Sequence, residues 1–211
     1  SQSMVGQSWD NPEDWIRTNV LSMTLLLKGL AKFDFLGKYI HFTTPEVYGS
    51  TEGWVKESFR FSPSTPYAVS RAAGDWMVKL WQETFEVPAI FTRAANIYGE
   101  GQQLYRIIPK TILYGLTGRK ISLHGGGQSS RAFIHMDDTS AALVKIIESG
   151  AIGDTYHISP RESLSILKLV QRIGEKLSIS DQDLFTVSED RIGKDKAYLL
   201  DSQHLIETIG W

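Results

Sequence analysis

The chain of 211 residues contains no cysteine. Disulfides, thiol nucleophiles, iron–sulfur clusters and cysteine-type zinc sites are thereby excluded, and the absence fits a reducing compartment. The five histidines show no close ligand spacing such as H-x-x-x-H, so we expect no metal site. The segment G-x-S-x-G, which carries the nucleophile of many hydrolases, is also missing.

Positive charge is not in excess, because the chain has 22 Lys and Arg residues but 24 Asp and Glu residues, which gives a net charge of −2. Non-specific nucleic-acid binding needs such an excess, so we expect no nucleic-acid partner. The longest apolar stretch, 20–35, is interrupted by Lys28, Lys32 and Asp34 and is too short to cross a membrane. No signal-peptide pattern opens the sequence. We therefore predict a cytoplasmic protein without membrane contact.

Aromatic residues are plentiful, with six Trp, nine Phe and eight Tyr, and they offer enough surface to build a packed core. In the first half, the pattern predicts a helix that starts at Asn11-Pro12, a strand over 38–44, a helix over 66–86 and a strand over 89–93. Such alternation indicates a parallel sheet covered by helices on both faces. Ligands of these sheets bind beyond the carboxyl ends of the strands.

The second half mixes shorter elements, as a small α+β lobe would. Its predicted helices cover about 105–116, 137–148, 163–177 and 203–209, and its predicted strands cover 120–123, 132–135, 153–158 and 184–187. The segment 49–65 is rich in Gly, Ser, Thr and Pro and is predicted to be a loop. Asn11, Asp137 or Asp138, and Ser163 are the expected helix caps.

Tyr67 and Arg71 lie four residues apart at the start of the second long helix, so their side chains share one helical face. A neighbouring cation stabilises a phenolate, so this spacing predicts a lowered pKa for Tyr67. A phenol of that kind can act as the general base for an alcohol that is being oxidised. The alternative is a tyrosine that packs at a helix start and an arginine that faces water.

Six segments stand in a characteristic order: Gln2 to Gly6 (QSMVG), His41 to Gly49 (HFTTPEVYG), Tyr67 to Arg71 (YAVSR), Arg93 to Gly99 (RAANIYG), Arg131 to Asp137 (RAFIHMD) and Arg191 to Tyr198 (RIGKDKAY). In order and interval they resemble the extended short-chain dehydrogenase/reductase family, in particular its nucleotide-sugar 4,6-dehydratases. The resemblance implies the C-terminal part of a Rossmann-type doubly wound parallel sheet, followed by a small α+β substrate-binding lobe. It also implies a boundary near residue 98, with cofactor and catalytic residues in 1–98 and mostly nucleotide-sugar-binding residues in 99–211, where some segments return to the Rossmann-type sheet.

The resemblance implies a role for each catalytic position. Tyr67 would be the base that starts hydride transfer from sugar C4 to NAD, and Thr44 would hold the same hydroxyl. Glu46 would take the C5 proton, which a 4-keto group makes acidic, as water is eliminated across C5 and C6. Arg71 would activate Tyr67, and Thr43, Tyr67 and Arg71 would contact the cofactor. An ordinary salt bridge at a strand end is the alternative for Glu46.

Five further residues would bind the nucleotide-diphosphate sugar by the same resemblance: Asn96, Arg106, His124, Arg131 and Arg191. Arg131 and Arg191 would grip the diphosphate, for which a planar guanidinium with five donors is suited. Asn96 would contact the sugar or its phosphates, Arg106 a phosphate, and His124 the base. Solvated surface arginines and a loop histidine without a role remain the alternatives.

Three departures from the family pattern matter. Pro45 stands where some of these dehydratases carry an Asp that protonates the leaving hydroxyl, whereas related dehydratases and decarboxylases carry Ser. Proline has no proton to give, so water or another group would take that role. Arg71 stands in place of a lysine, which leaves the contact of that position with the nicotinamide ribose open. No glycine-rich phosphate-binding turn follows a strand, and Gly125-Gly126-Gly127 lies far downstream. We therefore expect the chain to be the C-terminal two-thirds of a longer enzyme.

The predicted function is NAD-dependent dehydration of a nucleotide sugar, by transient C4 oxidation, loss of water and return of the hydride. C4 epimerisation or decarboxylation on the same scaffold is an alternative, and so is a catalytically weak homologue that only binds nucleotide sugar. NADP in place of NAD is not excluded by the sequence. By the resemblance, the two long helices would pair across a two-fold axis into a homodimer.

Overall fold

The computed structural model describes residues 2–189 and 196–211. The helices of this part are α1 (Pro12–Ile16), α2 (Ser22–Leu30), α3 (Pro66–Phe85), α4 (Ile107–Leu116), α5 (Met136–Ser149), α6 (Ile166–Leu177), α7 (Asp181–Leu184) and α8 (Gln203–Ile209). Its strands are β1 (Tyr39–Thr43), β2 (Trp54–Val55), β3 (Ala89–Ala94), β4 (Asn96–Tyr98), β5 (Ile121–His124), β6 (Ser130–Arg131), β7 (Phe133–His135), β8 (Thr155–Ile158), β9 (Leu164–Ser165), β10 (Phe185–Ser188) and β11 (Ala197–Leu200). No helix of the described residues has both the length and the apolarity to span a bilayer.

The principal sheet is parallel, with strand order β1-β3-β8. All six residues of β3 are buried, because helices cover both of its faces. Phe91 packs with Leu27 and Val78 of α2 and α3 on one face. On the other face, Ile90 packs with Ile146 of α5 and Leu205 of α8. The predicted α/β class, with a parallel sheet between helical layers, is confirmed.

The second lobe is smaller and is built around the parallel pair β5 and β10. Ile121 and Leu123 of β5 pack with Val170 of α6 and Leu184 of α7, which gives this lobe its own apolar core. A mixed sheet of order β2-β11-β6-β9 and the pair β4-β7 join the two lobes. Because β8 returns to the principal sheet, the stretch 99–211 contributes to both parts. The division of roles at residue 98 stays a prediction.

A π-helical turn, Arg17–Leu21, connects α1 and α2 within one helical run. Its Asn19 is buried and exchanges two hydrogen bonds with the Gln2 backbone, at 2.7 and 2.9 Å, and donates a third to Ser70 of α3 at 2.9 Å. Gly74 lets the backbones approach, because a Cβ there would lie 2.9 Å from the Asn19 carbonyl oxygen. The turn thereby ties the N-terminal segment to α3.

Several local expectations are wrong. The predicted loop 49–65 contains β2, whose residues pair with β11. Asn11 occupies the N-cap of α1 but its side chain makes no capping hydrogen bond. The caps of α5 and α6 are His135 and Ser165, whose side chains accept from the backbone N–H of Asp137 and Lys168.

The start of α3 depends on a threonine cap, because the Thr65 hydroxyl accepts from the Ala68 N–H at 3.1 Å. We expect Thr65→Ala to lower the free energy of unfolding by about 1 kcal/mol, measured by urea denaturation. Ser165→Ala removes the equivalent cap of α6 and is the matched control. A similar loss of stability is expected in both variants, because each removes one side-chain cap of a helix. Unchanged stability in Thr65→Ala would show that this cap does not stabilise α3.

The burial of His157 makes the stability of the protein depend on pH. Burial lowers the pKa of its imidazole to about 3, and repulsion from Arg93 adds to the effect. The neutral ring is held at Nε2 by the Tyr48 hydroxyl, 2.9 Å away, and at Nδ1 by the Asp201 carbonyl oxygen, 3.1 Å away. The unfolded chain takes up a proton near pH 6.5 while the folded chain does not, so stability is full above that pH and falls below it.

Between pH 7 and pH 5 we expect this group to remove about 2 kcal/mol from the free energy of unfolding. His157→Gln can keep one donor and one acceptor but does not titrate. Its urea denaturation curves are therefore expected to change less between the two pH values than those of the unmodified protein. An equal change in both proteins would contradict the assignment.

Candidate active site

A cavity of about 1420 Å³ opens where β1 and β3 end, between the principal sheet and the smaller lobe. Pockets for drug-sized ligands usually measure about 300–1,000 Å³, so this one has room for a larger molecule. Nine of the ten residues selected from the sequence line it: Thr43, Thr44, Glu46, Tyr67, Arg71, Asn96, Arg106, His124 and Arg131. The tenth, Arg191, lies outside the described residues.

One wall of the cavity is a 3-10 turn, Pro45–Tyr48, directly after β1. The Thr44 hydroxyl caps this turn and accepts from the Glu46 N–H at 3.3 Å. Gly49 ends the turn with a φ of 69°, and a Cβ at this position would run into the carbonyl oxygen of Ser62. The turn therefore holds Thr44 and Glu46 next to each other at the carboxyl end of β1.

Tyr67 reaches this wall from the first turn of α3. Its backbone N–H donates to the Ser8 hydroxyl at 3.1 Å, which links the start of α3 to the N-terminal segment. The phenol lies close enough to the Thr44 side chain, Glu46 and Arg71 for all three to shift its pKa. The structure thus brings together the four residues that the sequence selected as catalytic.

The expected lowering of the Tyr67 pKa is wrong. Burial raises the pKa of this phenol, and the negative charge of Glu46 raises it further. Arg71, the Thr44 hydrogen bond and Arg106 act in the opposite direction but do not outweigh burial. The prediction considered the neighbouring cation and could not include the loss of hydration. At neutral pH, Tyr67 is therefore protonated in this structure.

Arg71 lies one turn after Tyr67 and is itself buried. One of its amino groups donates to the Phe42 carbonyl oxygen at 2.6 Å, so the side chain is anchored to β1. Its Nε, also buried, finds no acceptor among the described residues. The guanidinium is therefore held at the cavity wall with a buried N–H group turned toward no acceptor among the described residues.

The facing wall combines Asn96, Arg131 and Tyr198. Tyr198 of β11 pairs in register with Arg131 of β6, and the Arg131 guanidinium lies 4.1 Å from the centroid of the Tyr198 ring. The Tyr198 hydroxyl lies 3.4 Å from Asn96 Oδ1, and Asn96 Nδ2 donates to the Ala132 carbonyl oxygen at 3.2 Å. Arg131 also donates to the carbonyl oxygens of Ser130 and Lys196.

Arg106 and His124 line the end of the cavity that the smaller lobe forms. Arg106 precedes α4 and lies over the Tyr105 ring, 5.4 Å from its centroid. His124 ends β5, and its Nδ1 lies 3.1 Å from the Ser188 hydroxyl. An aromatic surface and a cation at this end fit the expected contacts with a base and a phosphate. Their assignment to those contacts stays a prediction.

Behind the site, Asp75 forms a fully buried charge network two turns after Tyr67. His41 of β1 donates to one Asp75 carboxylate oxygen at 2.9 Å, and Arg93 of β3 donates to the other at 2.8 Å. Burial acts to raise the Asp75 pKa, but the contacts with His41, Arg93 and Thr43 outweigh it and hold this pKa below its usual value. The network fixes α3 to β1 and β3.

Sequence reasoning overlooked Tyr198 as a site residue. The tyrosine closes the segment Arg191 to Tyr198, so the motif itself was the available signal. Met4 and Trp9 of the N-terminal segment also line the cavity and were not selected. Within the described residues, no group of three or more His, Asp or Glu is arranged to hold a metal ion.

Comparison with known proteins places these features in a family. The model of the "NAD dependent epimerase/dehydratase family" matches residues 1–159. The chain is 33% identical over 218 residues to a dTDP-glucose 4,6-dehydratase of Mycobacterium tuberculosis, an alignment that covers 100% of this chain and 64% of the relative. The chain therefore spans less than two thirds of that relative's length.

Two solved structures share the fold over the whole chain. The dTDP-glucose 4,6-dehydratase DesIV of Streptomyces venezuelae, solved with NAD bound, superimposes with a TM-score of 0.95 at 29% identity and is covered to 65% of its length. The UDP-N-acetylglucosamine 4-epimerase of Methanobrevibacter ruminantium gives 0.89 at 25% identity and is covered to 68%. By sequence and by fold, the chain belongs to the NAD dependent epimerase/dehydratase family.

Proposed function

We propose that the protein is a nucleotide-sugar 4,6-dehydratase, which oxidises its sugar at C4, removes water across C5 and C6 and then reduces C6. One observation carries this proposal: Thr44, Glu46 and Tyr67 meet on one wall of the cavity, with Arg71 one turn behind. A phenol beside a hydroxyl suits the oxidation of an alcohol. The added carboxylate suits removal of a proton next to a ketone, a step that simple C4 epimerisation does not need.

Tyr67 and Thr44 act on the C4 hydroxyl of the sugar. The Thr44 hydroxyl uses its acceptor capacity on the Glu46 N–H, so its own proton is available to the phenol oxygen or to the substrate. Tyr67 takes the C4 hydroxyl proton as the alcohol becomes a ketone. Because burial raises the Tyr67 pKa, the base form requires the positive charges near it, of which Arg71 is the largest contribution from this chain.

Glu46 acts after the ketone has formed. A C4 carbonyl acidifies the C5–H bond, so a carboxylate can remove that proton as a general base. The side chain of Glu46 is half-buried at the cavity wall, on the turn that also presents Thr44. The same turn therefore presents Thr44, which acts at C4, and Glu46, which acts at the neighbouring C5.

The residues present fit NAD at its nicotinamide end. Arg71 Nε is a buried donor without an acceptor among the described residues, which costs about 1–3 kcal/mol and suits a ligand with hydroxyl groups. Thr43, Tyr67 and Arg71 would hold this end of the cofactor. NAD bound there supplies a reversible hydride acceptor. The sequence carries no glycine-rich turn for the cofactor phosphates, so this chain shows no site for that end.

The opposite wall fits a nucleotide diphosphate. Arg106 and Arg131 bring two guanidinium groups to the cavity, and planar guanidinium forks bind phosphate oxygens well. Asn96 lines the same cavity and would contact the sugar. The proposed substrate is therefore a nucleotide-diphosphate sugar with hydroxyl groups at C4 and C6.

A panel of nucleotide sugars tests this proposal, with the complete gene product that carries this chain. We expect a transient rise in reduced-nicotinamide absorbance and a 4-keto-6-deoxy product. A C4 epimer or a pentose as the product would contradict dehydration and indicate an epimerase or a decarboxylase. Tight binding of a nucleotide sugar without any reduced nicotinamide would contradict catalysis altogether.

We also propose a homodimer through the two long helical runs. Leu21 and Leu25 of the first run are 54% and 58% exposed, and Val69, Trp76 and Leu80 form an exposed stripe on α3. This stripe lies on the face of α3 opposite Tyr67 and Arg71. Light scattering would show a dimer for the unmodified protein and a monomer for Leu25→Asp. A monomer in both cases would contradict the proposal.

A further inference from the structure

Removal of water across C5 and C6 requires a proton donor as well as a base. When the C6–O bond breaks, the departing oxygen would leave as hydroxide unless a proton reaches it. Glu46 is occupied with the C5 proton in the proposed function. Pro45, its neighbour on the turn, is buried and has no proton to give. The proton would therefore come from water or from a side chain on another element of the cavity wall.

Tyr198 brings an ionisable hydroxyl to this cavity. It lines the same cavity as Glu46, from β11 on the facing wall. Its hydroxyl lies 3.4 Å from Asn96 Oδ1, so it is next to a second side chain of the substrate cavity. The Arg131 guanidinium stacks on the ring, 4.1 Å from its centroid, and limits where the phenol can move. Tyr67, the other phenol near Glu46, already serves the C4 hydroxyl.

The charges around Tyr198 suit a proton donor. Burial raises its pKa to about 12, and the negative charge of Glu46 contributes, whereas Arg131 and Asn96 lower it. The phenol is therefore protonated at neutral pH. Its pKa still lies below that of water, about 15.7, so proton transfer to a departing hydroxide is downhill. Arg131 then stabilises the phenolate that remains.

We propose that Tyr198 donates the proton to the leaving C6 oxygen, an assignment that rests on the proposed dehydratase function. The C5–H bond breaks and its proton goes to the Glu46 carboxylate. The electron pair of that bond forms the C5=C6 double bond, the C6–O bond breaks, and the oxygen takes the Tyr198 proton and leaves as water. Glu46 ends protonated and Tyr198 ends as a phenolate, so charge is conserved. The Glu46 proton returns to C5 as the hydride adds to C6, and the proton that Tyr67 took from the C4 hydroxyl restores the Tyr198 phenol through solvent.

Tyr198→Phe tests the assignment, because phenylalanine keeps the ring beneath Arg131 and removes only the hydroxyl. The variant of the complete gene product is compared on the natural substrate and on its 6-deoxy-6-fluoro analogue. Fluoride departs as an anion and needs no proton donor. We expect elimination of water to slow roughly 100-fold, and elimination of fluoride to stay within a few-fold of the unmodified protein. Formation of the C4 ketone, followed by reduced-nicotinamide absorbance, is expected to persist.

Two further variants make the result decisive. Glu46→Gln is expected to lose both eliminations, because each begins with removal of the C5 proton. Pro45→Asp, combined with Tyr198→Phe, is expected to restore elimination of water by placing an acid on the catalytic turn.

Elimination of water at an unchanged rate in Tyr198→Phe would overturn the proposal, and so would an equal loss of both eliminations. If the unmodified protein forms no C4 ketone, the proposed function itself fails and the assignment falls with it.

Discussion

Tyr67→Phe is expected to slow oxidation at sugar C4 by roughly 10²–10⁴-fold, the usual contribution of a positioned general base. The substitution removes the phenol oxygen near Thr44 but keeps the ring in its half-buried position. Binding of the nucleotide sugar is expected to change little, because the arginines on the facing wall are untouched. Stopped-flow absorbance of reduced nicotinamide measures this step directly.

Tyr114→Phe is the matched control, since Tyr114 lies on α4 and is not among the residues that line the cavity. This variant is expected to oxidise C4 within about two-fold of the unmodified rate, because surface changes away from the site are nearly neutral. An undiminished rate in Tyr67→Phe would show that another group removes the C4 hydroxyl proton. An equal loss in both variants would show a general effect on the fold.

Asp75→Asn is expected to lower the free energy of unfolding by about 3–5 kcal/mol, because it leaves the fully buried Arg93 without its counter-charge. Arg93 Nε and Nη1 already lack acceptors among the described residues, and the guanidinium lies against the rings of Tyr48, Phe59 and Phe61. Urea denaturation at pH 7 measures the loss. The Asp75 pKa is below its usual value of 3.8, so this stabilisation is full at neutral pH and disappears only in strong acid.

The same helix offers a control for this substitution. Lys79 and Glu83 of α3 form an ion pair of the same length, 2.8 Å, but the Glu83 side chain is 52% exposed. Glu83→Gln is expected to cost only about 0.3–0.5 kcal/mol, the usual value of an exposed helical pair. A loss of that size for Asp75→Asn would mean that the buried network does not anchor α3.

The sequence was sufficient for elements whose signals are local. The helix α3 and the strands β1 and β3 follow from capping residues, apolar spacing and β-branched residues within each segment. The two-residue strands β2 and β6 were not predicted, because β11, a distant segment with which both pair, decides that they form. Motif order was likewise enough to select nine residues of one cavity.

Properties that depend on burial could not be predicted from the sequence. The spacing of Tyr67 and Arg71 was read correctly, but the sign of the Tyr67 pKa shift follows from desolvation, which only the packed structure shows. The network of His41, Asp75 and Arg93 joins three segments that are far apart in the chain. All three residues can be identified in the sequence, but their pairing depends on how the two strands and α3 pack against one another.

The central claim is that one cavity oxidises C4 and completes the chemistry at C5 and C6 of the same sugar. A nucleotide sugar labelled with deuterium at C4 tests it in a single turnover of the complete gene product, with the product examined by NMR. Deuterium in the new C6 methyl group is the predicted result, because the hydride removed from C4 returns to C6. Deuterium that remains at C4, or a product without a methyl group, would contradict the account.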